Sequence, residues 1–315
     1  MTVHLPAVPY PDAERLLREA GLSPGDVVHV TEYVTAGSDP GARAAARKPY
    51  EAPVSTIPVA GLLADAPELV ELTAWPGGGT RAGELVIAGD LVYLPSVHTT
   101  EGGFREQYRA CLDRVGELLA AAGLGLDALV RTTDYTATAT RAEYPRCGRP
   151  RRDLLGAAGV FPGAAGILVD TPVEPGAHVA LDALASTGPL RAVNPGWSRY
   201  DTLTYGPGVV AGDTLVMSGF GALDPATQLA LHEGDLLRQA VYLYDSVDLV
   251  VQAAGGGTVT RILDYITPAA VPDHQRLAAL RAERYPDAVV TTVVCSALLR
   301  PEFLLESVPT AVLDR

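Results

Sequence analysis

The segment Asp26–Tyr33 reads DVVHVTEY, and the chain contains this pattern three times. The second copy, Ala128–Tyr135, reads ALVRTTDY, and the third, Thr258–Tyr265, reads TVTRILDY. Each copy follows an apolar segment that stops at a glycine, and each ends on a carboxylate followed by a tyrosine. A repeat of this kind predicts that one structural unit is used several times, so it determines how the rest of the chain is divided.

The residues around the second copy predict a complete α/β unit. Two short apolar runs within Gly83–Tyr93 flank a Gly-Asp turn, which is typical of a β-hairpin. Apolar residues at helical spacing over Phe104–Ala122 predict a helix that Gly123 ends. A strand, a weaker helix and two strands are predicted to follow at Leu129–Thr136, Arg141–Leu155, Ile167–Val169 and Val179–Ala185. The element order of this unit is therefore ββ-α-β-α-ββ.

The third copy lies in a second complete unit, whereas the first copy lies in a truncated one. The third unit repeats the same order at Val209–Met217, Leu236–Ala253, Val259–Ile266, His274–Arg284, Val289–Cys295 and Phe303–Val312. The first unit lacks the opening hairpin and is predicted to contain elements at Asp12–Ala20, His29–Thr35, Pro40–Arg47, Ser55–Val59 and Leu69–Trp75. Two segments rich in Gly and Pro separate the units, so we expect domains over residues 1–78, 79–188 and 189–315.

The composition limits the partners that the protein can have. A net charge of −13 over 315 residues argues against nucleic acid and anionic membranes, because both bind clustered Lys and Arg. Three scattered cysteines give neither a disulfide framework nor a zinc motif. The N-terminal residues lack a signal-peptide pattern, and no apolar run reaches the length of about 18 residues that a membrane span needs. We therefore expect a cytoplasmic protein with no metal or other cofactor.

The element order, AAGLGLDALVRTT at residues 121–133 and GDTLVMSG at residues 212–219 resemble the RidA/YjgF family of reactive-intermediate deaminases. The likeness covers nearly the whole chain as about two and a half family units. Members of the family are homotrimers with clefts between their subunits, so the resemblance implies an α/β (α+β) fold whose tandem units pack as an internal pseudo-trimer. Chorismatases and cyanuric acid hydrolases are concatenated in this way, and the organisation is distantly similar to that of the chorismatases.

The resemblance also places the family's substrate-binding arginine, which clamps a carboxylate from the strand after the second helix. The corresponding positions in the three units are Val54, Ala164 and Val289. An apolar side chain cannot bind a carboxylate, so ordinary imino-acid hydrolysis is not expected in any cleft. These three positions are instead predicted to contact a substrate of another kind.

Other family positions are kept mainly in the third unit. The hairpin tyrosine of the family falls on Tyr205, and its Ser-Gly pair falls on Ser218 and Gly219. The resemblance implies that these residues orient the substrate. It also implies one functional cleft, in which the hairpin of the third unit faces the last strands of another unit.

Three side chains are predicted as acid/base groups. The acidic residue of the family's last strand falls on Asp182 in the second unit and on Glu306 in the third, whereas Thr73 takes its place in the first. His98 follows the hairpin of the second unit, in a region that rims the cleft in the family, and its imidazole titrates near neutral pH. An equally weighted alternative is that His98 only caps the next helix.

The repeated acid-Tyr pair has its carboxylate at Glu32, Asp134 and Asp264, and we predict a structural role for these three side chains. We favour a carboxylate ring around the pseudo-threefold axis, or pairing with arginine, over an acid/base role, because threefold repetition suits a scaffold. Cys147 lies among four arginines that would lower the pKa of its thiol or bind an anionic substrate. An arginine patch is favoured over a nucleophilic Cys147.

Together these patterns predict a cofactor-independent enzyme of secondary metabolism that acts on a small apolar or polyketide-like metabolite. The chemistry would be acid/base catalysis of hydrolysis, elimination or cyclisation. One alternative is a chorismatase-like hydrolase, which would need other arginines, such as those of Arg146–Arg152, to bind its substrate's carboxylates. The other is a non-catalytic binding or scaffold protein. The expected partner is a small-molecule substrate, and the expected state is a monomer or homodimer.

Overall fold

A computed structural model describes residues 1–314, and these residues form three β-sheets with helices packed on them. The sheets contain four, eight and seven strands. One copy of the repeated segment lies in each sheet as a long strand. Among the described residues, no helix is both long and apolar enough to cross a membrane.

The elements follow one another in the order expected for three related units. The first unit contains β1 Val3–His4, α1 Tyr10–Glu19, β2 Val27–Val34, α2 Pro40–Ala46, β3 Val54–Pro58, β4 Gly61–Leu62 and β5 Glu68–Ala74. The second contains β6 Thr80–Ala82, β7 Leu85–Ala88, β8 Leu91–Tyr93, β9 Val97–His98, α3 Phe104–Ala120, β10 Leu129–Ala137, α4 Gly148–Leu155, β11 Gly163–Val169 and β12 Val179–Ser186. The third contains β13 Leu190–Val193, β14 Gly208–Ala211, β15 Thr214–Met217, α5 Leu236–Ala254, β16 Gly257–Ile266, α6 His274–Arg284, β17 Val289–Val294, β18 Ala297–Leu298 and β19 Leu305–Leu313. Short 3₁₀ helices lie at Pro24–Asp26, Leu126–Ala128, Thr138–Cys147, Ser198–Thr202 and Pro268–Asp273.

Each repeated strand lies between a parallel neighbour and the antiparallel last strand of its unit. These neighbours are β3 and β5 for β2, β11 and β12 for β10, and β17 and β19 for β16. A parallel neighbour requires a crossover, which the second helix of each unit supplies. The predicted α/β fold of tandem units in an internal pseudo-trimer is therefore confirmed.

The sequence did not reveal six short strands of two to four residues, β1, β4, β6, β9, β13 and β18. Two of them pair outside their own unit, since β4 joins β17 and β18 joins β11. These two strands form because a neighbouring unit offers a free sheet edge, and a pattern of two residues cannot show that. The sheets thus exchange strands between units, and the domain limits at residues 78 and 188 stay a prediction.

In the first unit, β1 takes the place that a hairpin has in the other two. Val3 pairs with Ala74 of the last strand, just as the hairpin strands β8 and β15 pair with β12 and β19. Within the described residues, no second hairpin strand lies beyond β1 in this sheet. The first unit therefore cannot contribute a hairpin end to a cleft.

The long helices form where the sequence places apolar residues three or four apart. In α3 the buried side chains include Phe104, Tyr108, Leu112, Val115 and Leu119, which share one helix face. This face packs into the apolar core of the second unit, together with side chains of β8 and β12. The α5 helix buries a corresponding face in the core of the third unit.

The three units meet through the tyrosines of the repeat. Tyr33, Tyr135 and Tyr265 are buried in one apolar cluster that combines side chains from all three units. The hydroxyl oxygens of Tyr135 and Tyr265 lie 2.8 Å apart in a hydrogen bond. The pseudo-threefold axis therefore passes between the three repeated strands.

The carboxylates of the repeat point away from this axis and towards the helices. Glu32 accepts a hydrogen bond of 2.6 Å from the Tyr10 hydroxyl and pairs with Arg43 at 3.2 Å. Asp264 pairs with Arg281 of α6. The expected carboxylate ring around the axis is wrong, because alternate residues of a strand face opposite sides and the tyrosines take the axial side. The arginine-paired interpretation is correct for the first and third units.

Replacing Arg281 by Met is expected to lower the free energy of unfolding by about 3–5 kcal/mol, because Asp264 would be left as an unpaired buried acid. Burial raises the pKa of Asp264, and Arg281 acts in the opposite direction. Urea unfolding at neutral pH measures the loss. The matched control is Arg276→Met on the same helix, where an exposed pair with Asp273 should cost less than about 1 kcal/mol. Equal losses for the two variants would contradict the structural role of the buried pair.

Candidate active site

A cleft of ≈ 320 Å³ lies between the second and third units. The second unit lines it with residues of β10, β11 and α4 and of the 3₁₀ segment before α4. The third unit contributes Gly219, Phe220 and Gly221 after its hairpin, and Glu306 of β19. The linker that joins β13 to β14 also lines the cleft, with residues between Trp197 and Tyr205. This is the kind of inter-unit cleft that the resemblance implied.

Glu306 lies in the cleft beside the end of the hairpin. Its side chain packs so closely on Gly219 that a Cβ at this glycine would overlap the carboxylate Oε1. The same Cβ would lie 2.9 Å from the Cβ of Ala165, so neither neighbour leaves room for a side chain. Position 219 therefore needs glycine because the Glu306 carboxyl occupies the space above it.

The Glu306 carboxyl is kept neutral at physiological pH. Its residue is only 7% exposed, and burial raises the pKa of Glu306 to about 8. The Gly166 backbone opposes this rise, whereas the charge of Asp134 adds to it. A buried carboxylic acid whose pKa lies near the working pH can both donate and accept a proton.

Asp134 is a second acid in the same cleft. Its Oδ1 accepts hydrogen bonds from the hydroxyls of Tyr144 at 3.2 Å and Tyr108 at 3.4 Å. Burial raises the pKa of Asp134 to about 7, although the nearby Arg151 guanidinium lowers it. Both carboxyls of the cleft thus titrate within the neutral range.

The second unit differs from the other two in how its arginine is used. In the first and third units an arginine of the second helix forms an ion pair with the repeat carboxylate. Arg151 of α4 instead donates to the Thr132 hydroxyl at 2.9 Å and to the Thr204 carbonyl at 3.0 Å. Within the described chain, no ion pair forms between Arg151 and Asp134. Asp134 therefore lacks the arginine ion pair that Glu32 and Asp264 form, and the sequence alone did not reveal this difference.

Three further arginines line the cleft, Arg152, Arg199 and Arg300. Among residues 1–314, none of the three lies within ion-pair distance of a carboxylate. Arg199 donates to the Tyr205 hydroxyl at 3.3 Å, and its Nε is buried with no hydrogen-bond partner in the described chain. These guanidinium groups are available to an anionic ligand.

Four of the predicted substrate-binding residues lie at this cleft or directly behind it. Tyr205, Gly219 and Ala164 line it. Ser218 is buried behind the lining, where its hydroxyl accepts from the Ala164 N–H at 2.9 Å and donates to the Gly206 carbonyl at 2.6 Å. The first of these bonds joins β11 to the hairpin end at the edge of the cleft.

The other predicted site residues lie elsewhere. Asp182 lines a separate cavity on the pseudo-threefold axis. His98 is exposed and lies 3.0 Å from the Glu174 carboxylate. Val54 lies at the junction of the first and second units, where its carbonyl accepts from the Ser96 N–H at 3.1 Å. Val289 lies on β17, opposite Arg261. The structure therefore does not bring these four residues to the Glu306 cleft.

The registers of the last strands correct the sequence alignment of the acidic position. Glu306 lies opposite the tyrosine of its repeat, and the matching positions in the first and second units hold Leu69 and Ala180. Asp182 lies two residues beyond this position and Thr73 lies four residues beyond it. The three residues are therefore not equivalent. The sequence alignment missed this because strands without a motif can be aligned in several registers. Glu306 has no carboxylate counterpart in the other units.

Cys147 also differs from the expectation of an acidified thiol. It is buried, and burial raises the pKa of the Cys147 thiol to about 12, with the nearby Asp134 acting in the same direction. The neighbouring Arg151 and Arg152 lower it by less than burial raises it. A thiol of this kind is not a nucleophile near neutral pH.

Comparison with known proteins places the fold. No protein-family model matches the sequence. The crystal structure of a chorismatase aligns over 99% of this chain and 98% of its own, with a TM-score of 0.67 and 16% sequence identity. The chain has the fold of a chorismatase.

This chorismatase fold extends over the whole chain, so the tandem organisation expected from the sequence is confirmed. Single-unit proteins match only part of it. A Rid-family protein from Yersinia pestis covers 39% of the chain and 99% of its own length, at 18% identity and a TM-score of 0.35. A member of the YjgF/YER057c/UK114 family from Mycobacterium tuberculosis covers 33% and 84%, at 24% identity and a TM-score of 0.30.

Replacing Glu306 by Gln is expected to change how stability depends on pH. The native wild-type protein holds the Glu306 proton up to about pH 8, whereas the unfolded chain releases it near 4.5, so stability is lost as the pH rises through this interval. The Gln variant lacks this titration. Its stability relative to wild type should rise by roughly 2 kcal/mol or more between about pH 5 and pH 9, as measured by urea unfolding. The exposed Glu233→Gln is the matched control for loss of one carboxylate. A Glu306→Gln curve parallel to wild type would contradict the raised pKa.

Proposed function

We propose that this protein is a chorismatase-like hydrolase that acts on a small metabolite bearing carboxylates, with Glu306 as its general acid. The observation that carries the proposal is a neutral, buried carboxyl in a cleft lined by four arginines. The end-to-end match to a chorismatase makes chorismate the first substrate to test. We further propose a cytoplasmic, cofactor-independent reaction of secondary metabolism, because the acid/base groups of the cleft can supply the chemistry themselves.

The two acids of the cleft support proton transfer in both directions. In hydrolysis, the protonated Glu306 would give its proton to the leaving group as a C–O bond breaks. The oxygen of a water molecule would bond to the substrate carbon, and the proton that this water loses would return to the Glu306 carboxylate. Asp134 raises the pKa of Glu306 when it is ionised, which favours the protonated acid before each turnover.

The arginines favour an anionic substrate over the apolar or polyketide-like one that the sequence suggested. Ala164 occupies the position of the family's arginine clamp, so the cleft has no guanidinium there. Arg152, Arg199 and Arg300 lie around the same space from α4, the linker and the segment before β19. They could take the carboxylates of a substrate in bidentate pairs, which is the requirement of the chorismatase-like alternative.

Wild-type protein should convert chorismate into two products whose masses sum to chorismate plus one water, as detected by liquid chromatography with mass spectrometry. Glu306→Gln should lower kcat by about 10²–10⁴-fold, because it removes the transferable proton. Arg300→Met should raise KM more than it lowers kcat, because it removes a binding contact. The control Glu233→Gln should keep wild-type rates. Unchanged chorismate with wild-type protein would exclude the chorismatase-like function, and binding without turnover would support the scaffold alternative.

The rate should fall at high pH, because the reaction requires the protonated form of Glu306. Since the pKa of Glu306 is about 8, kcat should be fully expressed below that value and should decline as the pH rises through it. The profile is measured with chorismate at saturating concentration under constant ionic strength. A rate that increases with pH through 8 would show instead that the Glu306 carboxylate is the reacting form, which makes it a base.

A further inference from the structure

A second cavity, of ≈ 100 Å³, lies on the pseudo-threefold axis, and residues of all three units line it. It is distinct from the Glu306 cleft, since no residue lines both. Its volume is several times what one ordered water needs. The same position of each repeat faces this cavity and is occupied by His29, Arg131 and Arg261.

Arg261 shows how a guanidinium is satisfied in this cavity. It forms a buried ion pair with Glu71 of the first unit. Although burial alone would raise the pKa of Glu71, the Arg261 charge holds it below its usual value. The cation of the third unit is thus neutralised by a carboxylate on the last strand of the next unit around the axis.

Arg131 occupies the equivalent position in the second unit but lacks such a carboxylate. The strand registers make Glu71, Asp182 and Val308 equivalent, since each lies opposite the residue two before the tyrosine of its repeat. The pseudo-threefold rotation that relates Arg261 to Arg131 also relates Glu71 to Val308. Val308 therefore lies where Arg131 would need an acid. In agreement, Nη1 of Arg131 is buried with no hydrogen-bond partner among the described residues.

Among the described residues, no carboxylate of the cavity lies within ion-pair distance of Arg131. His29 hydrogen-bonds to the Leu94 carbonyl at 3.1 Å, and burial lowers its pKa to about 4. Burial and the Arg261 charge lower the pKa of His4 to about 3, so both histidines are neutral at pH 7. Burial raises the pKa of Asp182 to about 7, against the lowering effects of the Ser55 hydroxyl and Arg131, and its Oδ1 is buried with no partner in the described chain.

We propose that the axial cavity is a second binding site, in which a small carboxylate accepts a hydrogen bond from the unpartnered Nη1 of Arg131. The ligand would stand in for the carboxylate that Val308 does not supply. Asp182, when protonated, could donate a hydrogen bond to it through Oδ1, which has no partner in the described chain. A compact monocarboxylate of a few heavy atoms fits the volume. Phosphate fits less well, because one free cation next to an acid cannot balance a dianion.

Acetate is the probe that tests this site, measured by calorimetric titration and by thermal unfolding against chloride at equal ionic strength. At about ten times its dissociation constant, acetate should raise the Tm of the wild-type protein by about 2–4 °C. Phosphate should raise it less. An acetate effect no larger than that of chloride would overturn the proposal and leave the cavity to water.

Two variants separate this site from the rest of the molecule. Arg131→Met removes the guanidinium and should abolish the acetate effect. Val308→Glu restores the carboxylate by pseudo-symmetry, so it should also abolish the acetate effect while raising the Tm in acetate-free buffer. If Arg131→Met fails to fold, Val308→Glu alone decides, because retained acetate binding in it would overturn the assignment.

The proposed hydrolase function and the proposed axial site can be tested independently of each other. Glu306→Gln should lose chorismate turnover but keep the acetate-dependent rise in Tm, because Glu306 does not line the axial cavity. Loss of acetate binding in Glu306→Gln would place the acetate in the inter-unit cleft and overturn the axial site.

Discussion

The packing of three tyrosines on the pseudo-threefold axis is the interaction on which the rest of the structure depends. Tyr33, Tyr135 and Tyr265 occupy the same position of each repeat and share one buried apolar cluster. Because strand residues alternate between faces, placing the tyrosines on the axis directs the preceding carboxylates to the helices. The same packing sets the spacing of the units, and therefore the cleft and the axial cavity that lie between them.

The three copies of the repeat differ in how the carboxylate before the tyrosine is neutralised. Two copies keep an ion pair between the repeat carboxylate and an arginine of the second helix, which satisfies a charge that burial would otherwise penalise. The copy that borders the cleft has turned its arginine, Arg151, towards the linker and left Asp134 in the cleft wall. Asp134 is a candidate acid/base group because Arg151 forms its hydrogen bonds elsewhere, whereas the acid-Tyr motif is the same in all three copies.

The candidate site is also a place where the fold gives up stability. Glu306 is held neutral in a buried position, and Gly219 is required beside it because its carboxyl leaves no room for a Cβ. Burying a carboxyl is unfavourable for folding, and the Gly166 backbone offsets only part of this, since the pKa of Glu306 is still raised. The axial cavity likewise contains a buried polar atom, Nη1 of Arg131, that has no hydrogen-bond partner among the described residues.

The sequence by itself determined the three units, the order of their elements and the resemblance that predicted an internal pseudo-trimer, because helical and strand periodicity are local. It also predicted Glu306, Tyr205 and Gly219, since the third unit keeps the family motif there. Only the tertiary structure showed that Asp182 and His98 lie away from the cleft. It also showed that Asp134, Arg199 and Arg300 belong to it. Strand register and packing between units join residues far apart in the chain, and no local pattern carries that information.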